Sequence, residues 1–567
     1  MPLLPYGEWT PDVSDFESKA VKNILNVIPR ADGYGPFPNF AAATQSLPSA
    51  CRGSFYALKS DGSVQVYAGT STGLYRLNNT DLSWIPVSRV TTVTITAASP
   101  VVITETAHGA AVNDPKVFSN AGGALPAAIT AGTTYYVKTV LTANTYTISA
   151  TPGGAAINTA STGTGTHSVT HLYPALSGNA LWQFAQTGNL VWATQANDAL
   201  QVFNLSTDSA FSNSLGSPPQ AAYISVVGRF LVLSGLLSQP YRIQWSGLNA
   251  TTTWTSGVNS SDFQDFPDGG IVRGVAGGEY GIVFQDQAIR RMSYVPGSPI
   301  IFQIDRITQD KGLFAPYSLI RAGEKIFFFA GQGFHKIEPG GVPEQIGRER
   351  VDRTFLADLD KGHLELFQGA ADPRSTKVYW AYRSANGVNP ALYDKILGYD
   401  YALDRFFTLS VTGEYLLGIS QTGLTLENLD SISASLDALT LSLDSYATAV
   451  QPQIAQFNGS HVLGFFAGAN LEATLESAEQ GTDENRVTLR GFRPITDAAT
   501  VHGSVTYRDT QGVSSTVGSE VLINSRTGRC DMMRDARYIR YRTRIPAATS
   551  WTFAAGVVPD VTTSGTL

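Results

Sequence analysis

GNLVWATQANDALQVFNL, starting at Gly188, has three relatives further along the chain: GRFLVLSGLLSQPYRIQW from Gly228, GEYGIVFQDQAIRRMSYV from Gly278 and GEKIFFFAGQGFHKI from Gly323. Each opens on glycine, continues through a short apolar run, turns on polar residues and starts a second short strand. The leading glycines lie 40, 50 and 45 residues apart. That interval is one propeller blade, a small antiparallel sheet that buries its faces only against neighbours on both sides. An earlier unit, GSFYALKSDGSVQVYAGTSTGLYRL from Gly53, alternates apolar and polar residues around Asp61-Gly62 and Gly73. VYWAYRS with ALYDKILGYDYALDRFFTL makes a later one, and GEYLLGIS from Gly413 opens another. The pattern predicts roughly six to eight blades.

The rhythm breaks between Arg89 and His171. From Thr91 to Thr170 the only charged residues are Glu105, Asp114, Lys116 and Lys138, and threonine dominates. TVTITAASPVVIT, TYYVKTV, NTYTISA and GTHSVTH read as short strands of a small sandwich. Removing this stretch contracts the 135-residue gap between Gly53 and Gly188 to about 50 residues, one blade. Residues 89–172 are therefore expected to form a Thr-rich, Ig-like β-sandwich inserted into a propeller loop, where the ends are close and exposed. The predicted fold is all-β: a β-propeller-like core (41–88 and 173–423), the insert, and an additional C-terminal β region (451–567) that completes the propeller or forms a platform. Residues 1–40, punctuated by Pro29, Gly33, Gly35, Pro36 and Pro38, are expected to be an extended arm. Within 424–450, Leu429, Ile432, Leu436, Leu439 and Leu443 step by three and four, which fits a helix with one apolar stripe. LTLSLDSY in the same segment also alternates like a strand, so a helix or a linker is expected there.

The 567 residues carry only 15% charged side chains, 54 glycines and 10% aromatics, against an average of about a quarter charged. Many short strands joined by tight turns give this composition. A hydrophobic content of 43% is enough to fill a core. The net charge of −7 argues against a dedicated nucleic-acid binder, whose affinity comes mainly from a basic surface. It leaves room for a wall past which DNA slides. Cys51 and Cys530 make no metal spacing and read as two buried thiols. The start of the chain has neither a basic nor an apolar leader region, and no run approaches membrane-spanning length. A chain folding in a cytoplasm, without membrane insertion, is the expectation.

Chemistry-bearing motifs are scarce. The seven histidines (His108, His167, His171, His335, His363, His461 and His502) include no HExxH and no pairing with cysteine. No nucleophile elbow and no P-loop occur. NATTTWTSG around Trp254 and KSDGSVQVY around Asp61 each match a fragment of the Asp-box turn of propeller glycosidases, and neither matches the whole. The expectation is no catalytic residue, no metal, no cofactor and no enzymatic activity. The polar clusters read better as surfaces. GRERVDRTF places Arg348, Arg350 and Arg353 beside Glu349 and Asp352. Seven arginines fall between Arg526 and Arg544, and a strand there aims Arg540, Arg542 and Arg544 at one face. Such a row needs counter-charge, from an acidic strand of the same chain, from a subunit interface, or by pairing with DNA phosphates. Arg290 and Arg291 point in opposite directions along a strand, so only one of them can face an axis.

Several longer strings are more specific. ILNVIPRADGYGPFPNF, QWSGLNATTTWTSGVNSSDFQDFPDGG, VFQDQAIRRMSYVPGSPIIFQIDRITQDKGLFAPYSLI and GGVPEQIGRERVDRTF resemble tail proteins of short-tailed bacteriophages, most nearly the nozzle or tail tubular component below the portal and adaptor. The likeness covers most of residues 1–444 apart from the insert, and the SLDS and RYIRYRTRIPA segments look similar too. The insert resembles small β modules of phage structural proteins. The resemblance implies a structural virion protein of the tail, assembled in the host cytoplasm as a ring, typically a homohexamer, around the DNA exit channel. Its implied partners are an adaptor ring above, fibres, spikes or a plug below, and genomic double-stranded DNA in passing. Alternatives are a receptor-binding propeller of a tail fibre or spike and a polysaccharide-cleaving one.

Overall fold

The computed structural model describes residues 3–14, 16, 19–178, 180–298, 300–419, 453–481 and 484–566. The segment expected to be a helix or linker at 424–450 lies outside them. Among the described residues, seven four-stranded antiparallel sheets follow one another as blades. Blade 1 runs from Ser54–Leu58 to Trp84–Pro86, blade 2 from Gln183–Thr187 to Ser212–Asn213, and blade 3 from Ala221–Val227 to Asp262–Asp265. Blade 4 runs from Val272–Ala276 to Phe302–Thr308, blade 5 from Ile320–Ala322 to Glu344–Gln345, and blade 6 from Gln368–Ala371 to Arg405–Leu409. Blade 7 takes Tyr415–Ile419, Gln453–Phe457 and Val462–Asn470 from late in the chain, and its fourth strand, Pro38–Ser46, from the beginning.

The leading glycines have a simple physical role. Gly188, Gly228 and Gly323 sit in the tight turn between the first and second strands of blades 2, 3 and 5, with φ of 59°, 56° and 62°. Residues with a Cβ pay a steric penalty there. The apolar run after each glycine is the second strand, buried on both faces: Phe327, Phe328 and Phe329 in blade 5 are all 0% exposed. Blades adhere through these strands, as where the rings of Phe284 in blade 4 and Phe328 in blade 5 lie 5.0 Å apart.

Blade 7 meets blade 1 at a buried carboxylate. Glu414 accepts hydrogen bonds from the Cys51 main-chain N–H (3.0 Å) and from His461 Nδ1 (2.5 Å). Burial raises the pKa of the Glu414 carboxyl. Cys51 and Cys530 are both buried and unlinked, and burial pushes the Cys530 thiol up to about 11.

Two expectations need correction. The insert closes into a six-stranded barrel rather than a sandwich: Val90–Ile95 pairs with both Ile103–Thr104 and Thr166–His171, leaving no open edge. The N-terminal segment is not an arm lying on the domain but is woven into it. Leu4–Pro5, Val21–Leu25, Val27–Arg30 and Gly33–Pro36 join C-terminal strands in two sheets. Pro29 fits because its strand is the edge of its sheet, where a missing N–H costs no ladder bond.

These two sheets form a platform. One contains Asn485–Thr496, Cys530–Ala536 and Ala554–Thr566; the other contains Ala473–Ser477, His502–Arg508 and Tyr538–Ile545. They pack face to face, with the rings of Phe492 and Tyr541 5.4 Å apart, and share one core with blades 5 and 6. Asp535 ties three strands of the first sheet: it accepts from Arg486 Nε (2.6 Å) and Thr488 Oγ1 (2.9 Å), and Ser564 adds a third bond. These partners hold its carboxyl at about 2. Because the folded-state value is depressed, the contribution is present above the ordinary carboxylate range and is lost as pH falls through about 2. Melting temperature recorded against pH for Asp535→Asn will therefore fall less steeply on the acid limb than wild type; parallel limbs would refute this role.

Candidate functional site

A cavity of about 490 Å³ lies on the propeller axis. Its wall takes residues from the first strand of every blade, among them Phe55, Phe184, Tyr223, Arg273, Arg321, Gln368 and Tyr415. A second cavity of about 470 Å³ shares Arg321 and Tyr415 with it and is lined largely from blades 5, 6 and 7. Arg273 Nε donates to Asp286 Oδ1 at 2.6 Å. Arg321 reaches the carbonyls of Gly277 and Gly323 and lies 3.5 Å from Glu324. Its guanidinium fills the space over Gly278, where any side chain would collide with it and where φ is +146°. Gln368 is held by three hydrogen bonds: its Nε2 donates to the carbonyls of Glu365 (2.8 Å) and Glu414 (3.1 Å), and its Oε1 accepts from the Leu416 N–H (3.0 Å). Burial pushes the Tyr223 phenol up to about 12 and raises that of Tyr317, whose oxygen accepts the Leu181 N–H at 2.9 Å. Arg273, Arg321 and Gln368 are thus held by partners of the same chain, and Asp372 in the second cavity is the one carboxylate among the residues lining the two.

None of the arginines singled out in the sequence lines this axis; they occupy three other places. Arg290 and Arg291 lie on the third strand of blade 4, two strands out from the axis. Arg290 donates to Gln285 (2.9 Å), pairs with Asp268 and covers the Phe266 ring at 4.9 Å, while Arg291 covers Tyr280 at 5.6 Å.

Arg350 and Arg353 stand at the joint between propeller and platform. Arg350 Nε donates to Glu8 Oε1 (2.6 Å), and Nη1 donates to Asp404 Oδ1 (2.9 Å) and to the Ile346 carbonyl (3.2 Å). Asp12 accepts from the main-chain N–H groups of Arg353 (2.7 Å) and Thr354 (2.8 Å), which open the helix Asp352–Asp358, and Arg353 also reaches the Asp12 carbonyl. Asp352 accepts from the Phe334 N–H (3.1 Å) and from Gln345 Nε2 (2.9 Å), and burial raises its carboxyl pKa. Gly333 and Gly347 leave room for that carboxylate; a Cβ on either would collide with it. Arg348 is exposed beside this joint.

Arg540, Arg542 and Arg544 share one face of Tyr538–Ile545, with Tyr541, Thr543 and Ile545 buried on the other. Their counter-charges belong to the same chain. Arg544 pairs with Glu472 and Glu520 (both 2.8 Å), and Arg540 approaches Glu479 at 3.8 Å. Arg542 sits between them, opposite Glu476 in the neighbouring strand.

Arg273 and Arg321 went unremarked in the sequence. Both sit in the strand just before the repeat-opening glycines, in VRGVAGG and IRAGE. A charge in that strand faces the axis, and that was the available signal.

Among the described residues the fold is an all-β propeller of seven blades joined to a two-sheet platform and carrying a barrel insert. No family model and no curated protein matches the chain. Among solved structures it is similar to the dihydro-heme d1 dehydrogenase NirN, at 13% identity over 49% of this chain, with a TM-score of 0.27. The chain spans about half of NirN's length (53%). It is also similar to the computationally designed Ika8 protein (9% identity, 75% of this chain and 98% of that one, TM-score 0.32). Hsv2 of Kluyvelomyces marxianus is a third (9% identity, 64% and 97%, TM-score 0.24).

Proposed function

We propose that this chain is a nozzle subunit of a short bacteriophage tail, a structural protein that forms part of the DNA ejection conduit below the adaptor and a platform for fibres, spikes or a plug. The observation that carries this reading is a convergence. Three of the segments whose wording resembles tail proteins, 24–40, 340–355 and 537–547, are distant in sequence. In the fold, 24–40 and 537–547 contribute strands to the platform, while 340–355 forms the blade 5 side of the joint. The two longer resembling strings, 244–270 and 283–320, run through blades 3 and 4, so the likeness spans the propeller, the platform and the joint between them, the parts a ring-forming subunit has to hold together.

The charge pattern supports the same reading. Arginines left unmatched would grip phosphates and slow a passing duplex, whereas Arg544, Arg540 and Arg508 are engaged by Glu520, Glu472 and Glu479. On this proposal the subunit acts as a ring, in the family manner a homohexamer, without catalysing a reaction. Virions assembled without the protein are expected to lose the tail below the adaptor and to leak their genome, as seen in low-resolution particle images. Particles that keep both tail and genome would sink the proposal.

A further inference from the structure

The three histidines of the barrel insert are held alike. Ala110 donates its main-chain N–H to His108 Nδ1 (2.9 Å), and His108 Nε2 faces the Thr142 carbonyl (3.0 Å). Asn120 Nδ2 faces His167 Nδ1 (2.7 Å), and His167 Nε2 faces the Thr162 carbonyl (2.8 Å). Arg89 Nη2 faces His171 Nδ1 (3.4 Å), and His171 Nε2 faces Asp198 Oδ2 (3.2 Å). Main-chain, amide and guanidinium nitrogens only donate, and carbonyl and carboxylate oxygens only accept. Each ring is therefore neutral, accepting at Nδ1 and donating at Nε2. The Asn120 amide is fixed the same way round by a second bond, from Nδ2 to the Thr164 carbonyl at 2.7 Å. A proton added to Nδ1 would meet a donor in all three places, and all three residues are more than nine-tenths buried. Outside the insert, His335, His363 and His461 turn Nδ1 to oxygens instead: the Gly333 carbonyl (3.0 Å), Asp360 (2.9 Å) and Glu414 (2.5 Å). The two carboxylates welcome a second proton; His335 in blade 5, whose Nε2 is buried without a partner, shares the difficulty of the insert.

We infer that the insert is an acid-triggered module, which opens in mildly acidic solution while the propeller keeps its blades. Imidazole is the side chain that gains a proton between pH 8 and 5. The closed insert takes up fewer protons there than the opened one, so its stability falls as pH falls. Charged neighbours act on two of the rings. Arg89 bonds both His171 Nδ1 and the His108 carbonyl, and Lys116 lies opposite His171 across the strand pair. Asp198 favours a proton at His171. Glu105 accepts from Tyr146, whose ring lies 5.0 Å from that of His108, and is already paired with Lys116 at 3.1 Å. His167 is surrounded by the neutral Asn120, Thr162 and Gly163. Opening is local because the apolar core of the barrel, Phe118, Tyr135, Tyr146 and Val169 among it, is built from insert residues alone. It also admits water to the Lys116–Glu105 pair, both of whose side chains are fully buried when the barrel is closed.

Hydrogen exchange of the full chain, read as protection factors, tests this at about pH 7.5 and about pH 5.5, on either side of the ordinary imidazole value of about 6.5. Over that interval each ring that has to stay neutral raises the opening constant about tenfold. Peptides from 91–170 are expected to lose about a hundredfold in protection, from His108 and His167 together. Blades 3 and 4, which contain no histidine, are expected to keep theirs. His108→Gln combined with His167→Gln supplies an acceptor and a donor without a titrating ring, and is expected to reduce the loss to about tenfold or less. Each single variant is expected to fall between, and decides the matter where the double variant is already open at the higher pH. Equal protection of the insert at both pH values, an equal loss in blades 3 and 4, or the full wild-type loss in the variants would each overturn the inference.

Discussion

Trp380→Ala is expected to destabilise the propeller by about 5 kcal/mol, the upper end of large-to-small aromatic truncations. Trp380 is fully buried in the second strand of blade 6 and reaches across to blade 5. Its ring centroid lies 4.6 Å from that of Phe334, and its Nε1 donates to the Ser318 carbonyl at 2.9 Å. Truncation thus opens a cavity at a blade–blade seam and strips a buried carbonyl of its donor, a second cost of roughly 1–3 kcal/mol. Trp380→Phe restores most of the volume but not the bond, and is expected to lose only the smaller part. Denaturant midpoints of the three proteins check this ordering. A Trp380→Ala midpoint close to that of Trp380→Phe would show that the seam collapses around the gap and that packing there matters less than argued.

The second large effect concerns the joint. Arg350→Ala removes a side chain that touches the N-terminal segment, the residue after blade 5 and the last turn of blade 6 together. Its side chain is only 19% exposed, and it also covers the Phe406 ring at 5.2 Å. Breaking a buried pair by removing one partner costs about 3–5 kcal/mol; Glu8 and Asp404 are more exposed, so about 2–3 kcal/mol is expected here after allowing for solvent screening. The loss is local. Hydrogen exchange is expected to speed at the amides of Tyr6, Gly7 and Val21, which bond to the carbonyls of Ala555, Lys19 and Glu8, while the second strands of blades 2 to 4 keep their protection. Arg350→Lys restores charge without the planar fork and is expected to recover part of the effect. Uniform acceleration throughout the chain would mean that Arg350 supports the whole fold rather than the joint.

Much of the propeller is legible in the sequence because its turns impose chemistry. A first-to-second-strand turn with positive φ calls for glycine, and the buried strand after it calls for an apolar run, so Gly188, Gly228 and Gly323 stand out at blade intervals. The woven N-terminus is hidden by the same logic: Pro29, Pro36 and Pro38 look like loop punctuation until their edge and strand-end positions are known. Barrel closure of the insert depends on the register between Val90–Ile95 and Thr166–His171, which no local pattern encodes. The alternation of Arg540, Arg542 and Arg544 reveals their shared face, but Glu472, Glu479 and Glu520 are brought opposite them only by sheet order. Arg273 and Arg321 show the reverse case, a position readable from the repeat whose meaning emerges only once the first strand is seen to line the axis.

The closure of blade 7 also sets when this molecule can fold. Its outer strand, Pro38–Ser46, pairs with Val462–Asn470, so that Ser46 lies against Val462. Contacts of such sequence separation form slowly, since loop entropy is lost before they give any return. At ribosomal speeds of about 5–20 residues per second, the first blades leave the ribosome tens of seconds before their closing partner exists. Throughout that interval the strand 38–46 waits as an unpaired edge, open to pairing with a neighbouring nascent chain. A message truncated before residue 462 lacks the strand that pairs with 38–46 and leaves the ring of blades open.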